Sequence, residues 1–188
     1  MPPKTKISRE DIIKTAVELV REKGAEAVNA RSIAAELGCS TQPIFSNFSS
    51  MEELDAAMLG AAHERYWNFL KAESEIGKYP RYKSFGMAYI RFAKEERELF
   101  KLLFMCDRGG ENLVPTTDFD ESVEMIMKAN GISREKASLM HLEMWACVHG
   151  IGTMLATSFL ELDFELISNM LTDVYRGICT RHLSGDEK

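Results

Sequence analysis

Helix start and stop signals recur along the whole chain and constrain its fold more than any other feature. Ser8 precedes a stretch in which apolar residues recur every three or four positions, and Gly24 follows it. Small polar residues often cap the first turn of a helix, and glycine commonly ends one. Asn29 and Ser133 stand in the same position before later stretches. Because no alternating apolar pattern or hairpin signal accompanies these caps, we predict an all-α fold.

The same signals predict about nine helices in two domains, one over residues 1–50 and a larger one over 51–188. Residues 107–117, which contain two glycines and a proline, are predicted to form the one long loop. The predicted helices run from Ser8 to Gly24, from Asn29 to Gly38, over 41–47 with Ser40 as cap, from Ser50-Met51-Glu52-Glu53 to about 75, over the aromatic stripe after Pro80, over 98–105, over 118–129, from Ser133 to about 159, and from about 163 to 182.

Residues 29–48 have the pattern of a helix-turn-helix. The apolar positions predicted to face inward are Ile33, Ala34, Leu37 and Cys39 before the second helix, and Ile44, Phe45 and Phe48 on it. Gly38 permits the tight turn between the helices. Thr41, Gln42 and Ser46 then face outward, and a helix presented this way fits the major groove of DNA. Glutamine can pair with adenine there, and threonine can contact a base edge or a thymine methyl group.

The net charge of −6 argues against a nucleic-acid partner at first, but its distribution does not. Residues 1–50 hold seven Lys and Arg against six Asp and Glu, so the acidic excess lies in the remainder of the chain. A local basic surface on the N-terminal domain can therefore still bind phosphates. The residues predicted to contact DNA are Lys4, Lys6, Arg9, Asn29, Arg31, Ser40, Thr41, Gln42, Phe45, Ser46 and Asn47.

Residues 8–60 resemble the DNA-binding domain of TetR-type transcriptional regulators. The resemblance is carried by Gly24, Asn29, Ile33-Ala34, Gly38-Cys39-Ser40, Ile44-Phe45-Ser46-Asn47-Phe48 and Ser50-Met51-Glu52-Glu53-Leu54. In addition, Trp145-Ala146-Cys147-Val148-His149-Gly150 resembles a W-x-x-x-H-G stretch in one branch of the family's C-terminal domains. The order and spacing of the N-terminal residues agree with the family over some fifty positions.

The resemblance implies a ligand-responsive regulator, most often a repressor, that binds a palindromic operator as a homodimer. A small effector in the helical regulatory and dimerisation domain would release it from DNA. The sequence departs from the family at Phe45, where tyrosine is common, and at Met51, where lysine or arginine is usual. Since the recognition helix also lacks Lys and Arg, we expect weaker, less salt-driven binding in which Arg31 and the N-terminal arm supply more of the charge.

The last helix carries a narrow apolar stripe that has two interpretations. Its members, spaced alternately by three and four, are Phe164, Ile167, Leu171, Val174 and Ile178. Such a stripe suits packing against another helix, either within the chain or across a dimer interface. The sequence alone leaves both open. The family resemblance favours a dimer interface built by the helices at about 133–159 and 163–182.

Residues 60–160 contain most of the aromatic side chains and many methionines, which is typical of an internal apolar pocket as well as of a packed core. We predict an effector pocket for a hydrophobic or planar ligand. Its predicted lining is Tyr66, Phe69, Phe104, Trp145 and His149. The alternative is a fully packed core in which Trp145 and His149 are structural.

Catalysis is not expected, because G-x-S-x-G, Walker A and H-E-x-x-H motifs are absent and no histidine has a glutamate three residues before it. No metal or other cofactor is predicted. Four scattered cysteines and the lack of a signal peptide or membrane-spanning run predict a cytoplasmic protein. The alternative function is a helical protein-interaction module whose helix-turn-helix does not bind DNA.

Overall fold

The computed structural model describes residues 7–106 and 117–183, and every regular element in these ranges is helical. The α-helices are α1 Arg9–Lys23, α2 Ala30–Glu36, α3 Gln42–Asn47, α4 Met51–Glu75, α5 Arg81–Glu95, α6 Arg97–Phe104, α7 Thr117–Asn130, α8 Arg134–Ala156 and α9 Phe164–Leu183. A short 3-10 turn, Ala25–Ala27, follows α1. The predicted all-α class is confirmed. The predicted loop at 107–117 lies outside the described residues, apart from Thr117 at the start of α7.

Several predicted helix starts, and the end of α1, are confirmed by their hydrogen bonds. Ser8 and Asp11 form a capping box at the start of α1, where the Ser8 hydroxyl accepts from the Asp11 amide at 3.1 Å. Gly24 ends α1 with a φ of +83°, which residues with a side chain rarely adopt. The Asn29 side chain accepts hydrogen bonds from the amides of Arg31 and Ser32 in the first turn of α2. These local bonds explain why the N-terminal boundaries could be read from sequence.

Two predictions about the helix-turn-helix are wrong. The N-cap of α3 is Thr41 rather than Ser40, and the Thr41 side chain makes no capping hydrogen bond. Phe45 was predicted as an inward anchor, but 52% of its surface is exposed, whereas Ile44 and Phe48 are buried. Ile44 and Phe48 are four residues apart and share the inner face of α3, and the position after Ile44 is rotated by about 100° from it. Leu37, also predicted to face inward, is half-buried.

The chain divides into two compact units, and the first comprises Met1–Asn68 with Glu96–Cys106. Within it, α1 packs against α2, α3 and α6. The centre of this packing is formed by side chains with no solvent exposure, namely Ile12, Val20, Ile33, Ile44, Leu54 and Leu99. The short α2 and α3 are therefore held by burial against α1, since helices of this length are marginal by themselves.

A network of ion pairs reinforces the first unit. The Arg21 guanidinium donates to both carboxylate oxygens of Glu96, at 2.7 and 2.8 Å, and Arg65 donates to the same carboxylate at 2.9 Å. Burial alone would raise the pKa of Glu96, but the hydrogen bonds from Arg21 and Arg65 outweigh it, so that pKa lies below its ordinary value. Glu96 thereby joins α1 and α4 at the residue that precedes α6.

The second unit comprises Phe69–Glu95 with Asp107–Lys188, and in it α8 packs against α5, α7 and α9. Gly86 allows α5 to pack closely against α8 and α9. A Cβ atom at this position would lie 3.3 Å from a methyl group of Val148 on α8 and 3.6 Å from the Leu171 side chain on α9. None of the helices in the described parts of the chain is long and apolar enough to cross a membrane.

The stripe on α9 belongs to the core of its own chain. Ile167, Leu171 and Ile178 are buried by residues of the same protomer, while Phe164 and Val174 are half-buried. The intrachain interpretation is therefore confirmed for the three buried positions. An apolar seam between two copies would need to use other residues of this helix.

Two tyrosine–histidine pairs lie between α5 and α8. The Tyr82 hydroxyl is 2.9 Å from Nδ1 of His141, and the Tyr89 hydroxyl is 2.8 Å from Nδ1 of His149. Burial lowers the pKa of His141 to about 4 and also lowers that of His149. Both imidazoles are thus neutral hydrogen-bonding groups at neutral pH.

The depressed pKa of His141 predicts a loss of stability in mild acid. An unfolded histidine binds a proton near pH 6.5, and the folded one near pH 4, so the unfolded chain binds more protons between these values. The free energy of unfolding should therefore fall as the pH is lowered from about 6.5 to 4, by on the order of 2–3 kcal/mol from this group. Denaturant unfolding between pH 7.5 and 4.5 measures it. In His141→Asn, which keeps a side-chain acceptor but does not titrate there, the fall should be smaller, and an equal fall would contradict the assignment.

Candidate nucleic-acid interface

The helix-turn-helix consists of α2, a tight turn and α3. The turn is closed by a hydrogen bond from the Cys39 amide to the Ala34 carbonyl at 2.9 Å. Gly38 adopts a φ of +63° within it, a value that favours glycine. Cys39, predicted to face inward, is half-buried. The turn fixes the direction in which α3 leaves α2, and with it the face that α3 presents to solvent.

The outer face of α3 is uncharged. Gln42, Phe45 and Ser46 are exposed on it, and Thr41 is half-buried at its beginning. The side chains of Thr41 and Gln42 form no hydrogen bond with any residue in the described ranges. Both can therefore bond to an external partner without breaking an internal bond. This arrangement suits contacts with base edges, which offer neutral donors, acceptors and methyl groups.

The predicted contact residues Asn29, Ser46 and Asn47 have structural hydrogen bonds of their own. Asn29 caps α2, as described above. The Ser46 hydroxyl donates to the Gln42 carbonyl at 2.9 Å, and the Asn47 amide donates to the Pro43 carbonyl at 2.8 Å. Ser46 keeps acceptor capacity on its oxygen. Asn47 is half-buried, so its internal bond chiefly completes the end of α3.

Arg9 holds the end of α3 against the start of α1. Its guanidinium donates to the Asn47 carbonyl at 2.6 Å, pairs with Glu53 at 2.8 Å and lies 3.9 Å from the centre of the Phe48 ring. Glu53 also accepts hydrogen bonds from the amide and hydroxyl of Ser49, and these bonds together with Arg9 lower the pKa of Glu53 to about 2. Arg9 is thus a positioning residue whose charge is already paired.

Sequence reasoning did not find this role of Arg9, because its partners are about forty residues away along the chain. The predicted capping box at Ser50 is present in one half. The Ser50 hydroxyl accepts from the Glu53 amide at 3.3 Å, while the Glu53 carboxylate bonds to Ser49 instead. The capping signal in the sequence therefore included Glu53, but it gave no sign of the ion pair between Glu53 and Arg9.

Arg31 and Lys14 are the exposed cations of residues 7–50 that form no ion pair with a described residue. Arg31 lies in the first turn of α2, and Lys23, by comparison, pairs with Glu36 at 2.8 Å. The predicted phosphate-binding residues Lys4 and Lys6 lie outside the described residues. Arg31 is accordingly the best-placed described cation for a phosphate next to the helix-turn-helix.

The predicted effector residues divide between the two units. Tyr66 and Phe104 belong to the first unit and pack edge to face, with ring centres 5.1 Å apart. Phe69, Trp145 and His149 belong to the second. There the Trp145 and His149 rings stack at 4.9 Å with 14° between their planes. The effector pocket stays a prediction. No group of three or more His, Cys, Asp and Glu in the described ranges is arranged to hold a metal ion.

Comparison with known proteins bears directly on the helix-turn-helix. Residues 12–58 match the family model described as bacterial regulatory proteins, tetR family. The N-terminal segment is TetR-like. This match covers α1 from Ile12 onward, α2, α3 and the beginning of α4, and it confirms the resemblance drawn from the sequence in that segment. No curated protein matches the chain.

Solved structures share the fold over almost the whole chain. A protein of unknown function from Rhodococcus sp. RHA1 is similar with a TM-score of 0.75 and 22% identity, covering 94% of this chain and 98% of that one. A TetR-family member from Streptomyces coelicolor A3 is similar with a TM-score of 0.57 and 19% identity, covering 88% and 96%. The W-x-x-x-H-G resemblance at Trp145–Gly150 is not tested by these likenesses and stays a prediction.

The exposed and unbonded Gln42 side chain generates a prediction about base reading. We expect Gln42→Ala to weaken binding to a duplex selected by the protein by about 1–3 kcal/mol, and to relax preference at one base pair in each half-site. Competition binding with singly substituted duplexes measures both effects. Asn68→Ala, an exposed amide on α4, is the matched control and should change neither. Equal weakening on all sequences would show that Gln42 contacts phosphate instead.

Proposed function

We propose that this protein is a TetR-type transcriptional regulator that binds a palindromic operator as a homodimer and represses until a small effector releases it. The observation that carries the proposal is the uncharged, exposed face of α3 within a helix-turn-helix whose segment matches the TetR family model. A neutral polar face on a short, rigidly held helix suits the base edges of the major groove. The G-x-S-x-G, Walker A and H-E-x-x-H motifs are absent from the sequence, which gives a catalytic alternative no motif to rest on.

In this proposal, base reading and phosphate binding are divided between different residues. Thr41 and Gln42 contact base edges from the N-terminal end of α3. Arg31, with Lys4 and Lys6, contacts the flanking phosphates. Ser40 lies just before α3, whose first turn has no side-chain cap and can offer amides to phosphate oxygens, whereas Asn29 caps the amides of α2 and would contact DNA only beside that cap. Because the recognition helix has no cation, the charged phosphate contacts lie outside it. Mutations can therefore remove phosphate contacts without removing base contacts.

The dimer proposal is supported by exposed apolar side chains on α8 and α9. Leu139 and Leu142 on α8 are 47% and 52% exposed, and Leu166 on α9 is 45% exposed. Clustered apolar exposure of this kind commonly marks an interface between protein chains. In the proposed dimer these residues, rather than the buried Ile167 and Leu171, meet the second copy. A two-fold pair of protomers would also match a palindromic DNA site.

The proposed effector is mainly hydrophobic or planar and binds in the helical regulatory region. The stacked Trp145 and His149 rings support this class, because they present a flat aromatic surface beside a hydrogen-bonding group. Tyr89 holds His149 in place through the bond to its Nδ1 atom. Effector binding would then lower operator affinity by a coupling of typically 1–3 kcal/mol.

Salt dependence tests the DNA-binding function and its phosphate contacts together. Binding to duplex DNA, followed by fluorescence anisotropy, should weaken linearly on a plot of log affinity against log salt concentration. We expect Arg31→Ala to weaken binding to selected and random duplexes alike and to make the slope shallower by about one phosphate contact per protomer. Arg81→Ala is the control, since Arg81 is an exposed arginine in the second unit, and it should leave the slope unchanged.

One result would contradict the role of Arg31, and another would contradict DNA binding itself. An unchanged slope in Arg31→Ala would remove Arg31 from the interface but leave DNA binding intact. No binding to any duplex, even at the lowest salt, would refute the regulator function and favour a helical interaction module.

The dimer interface gives a separate prediction. We expect Leu142→Glu to shift the protein from dimer to monomer in sedimentation at micromolar concentration, because an unpaired charge in an apolar interface is strongly unfavourable. Leu142 is exposed in the protomer, so the variant should keep its fold. Ile76→Glu is the control, since Ile76 is an exposed apolar residue just after α4. A monomeric parent protein, or a Leu142→Glu variant that remains dimeric, would contradict this interface.

A further inference from the structure

Phe45 is the exposed aromatic residue of the recognition helix. Its ring is 52% exposed and has no aromatic or cationic contact among the described residues. The other aromatic residue of this segment, Phe48, is by contrast 2% exposed and lies under the Arg9 guanidinium. Packing within the unit therefore does not account for a phenyl ring at position 45.

The position of Phe45 on α3 connects it with base reading. Phe45 and Gln42 are three residues apart and so are neighbours on one face of the helix, with Ser46 beside them. A phenyl ring has no hydrogen-bonding group for a phosphate oxygen. The apolar feature of the major groove is the C5 methyl group of thymine, and phenylalanine is among the side chains that contact it.

We propose that the Phe45 ring packs against a thymine methyl group, so that Phe45 is a specificity-determining residue next to Gln42. The inference rests on the proposed DNA-binding function and adds the base that α3 selects. With Gln42 paired to adenine, the two side chains favour A·T pairs at adjacent positions in each half-site. No charge on α3 competes for the phosphates, which is consistent with a helix that contacts base edges through neutral groups.

Uracil substitution tests this contact, because it removes the methyl group and keeps every hydrogen-bonding group of the base. The probe is a duplex selected by the full-length protein from random sequence, resynthesised with uracil in place of each thymine in turn. We expect one position per half-site at which uracil weakens binding roughly three- to five-fold, as for loss of one buried methyl-sized group. All other uracil positions should be nearly neutral.

The matching variant is Phe45→Ala, which should bind the thymine and uracil duplexes with equal affinity at that position. Phe45→Leu keeps an apolar side chain and should retain part of the discrimination. Phe159→Ala is the control, because Phe159 is an exposed aromatic residue of the second unit, and it should discriminate as the parent does. Thermal unfolding of each variant shows that the fold is kept.

Each outcome decides a distinct statement. If no uracil position weakens binding, or if Phe45→Ala discriminates as strongly as the parent, the ring contacts sugar or phosphate and this assignment is wrong. If the protein selects no duplex at all, the proposed function fails with it. Loss of discrimination in Phe45→Ala alone, with retained binding to random DNA, supports the thymine contact.

Discussion

The six-residue helix α3 cannot be stable by itself, and the rest of the N-terminal unit is organised around holding it. A helix this short makes too few internal hydrogen bonds to offset the entropy of its nucleation. Its stability comes from burial of Ile44 and Phe48, and from Arg9, which bonds to the carbonyl of Asn47 at its end. Because the turn before α3, its C-terminal end and its inner face are fixed, the outer face has one orientation. The exposed side chains of Gln42 and Phe45, which form the proposed recognition surface, therefore keep a defined arrangement.

The need to hold α3 in place also accounts for how the cations of this unit are used. Arg9 and Arg21 are bound to Glu53 and Glu96, so their charges stabilise the scaffold. The exposed cation beside the helix-turn-helix is Arg31, on α2 rather than on α3. A recognition helix without charge depends on complementarity to bases more than on general attraction to the phosphate backbone. We infer that such a protein binds random DNA more weakly but discriminates better among sequences.

Local features of this fold could be predicted from sequence, and features that depend on distant residues could not. Ser8, Asn29 and Gly24 act within one helical turn, so their roles follow from the adjacent residues. Phe45 was assigned inward because a six-residue helix offers too few apolar positions to define its buried face. The contacts of Arg9 with Glu53 and of Arg21 with Glu96 join residues 44 and 75 positions apart, for which the sequence has no signal. Likewise, the sequence is compatible with an α9 stripe that faces its own core or a second copy. The burial of Ile167 and Leu171 within the protomer shows that these two residues face its own core.

In the proposed function, this helix-turn-helix recognises a specific DNA sequence as one half of a two-fold pair. Selection of bound fragments from genomic DNA by the full-length protein, followed by sequencing, tests it most directly. We expect an inverted repeat whose half-site centres lie about 10–10.5 base pairs apart or a multiple of that spacing, because both recognition helices must meet one face of the duplex. Recovery of fragments that share no motif, or that share a single unrepeated one, would contradict it.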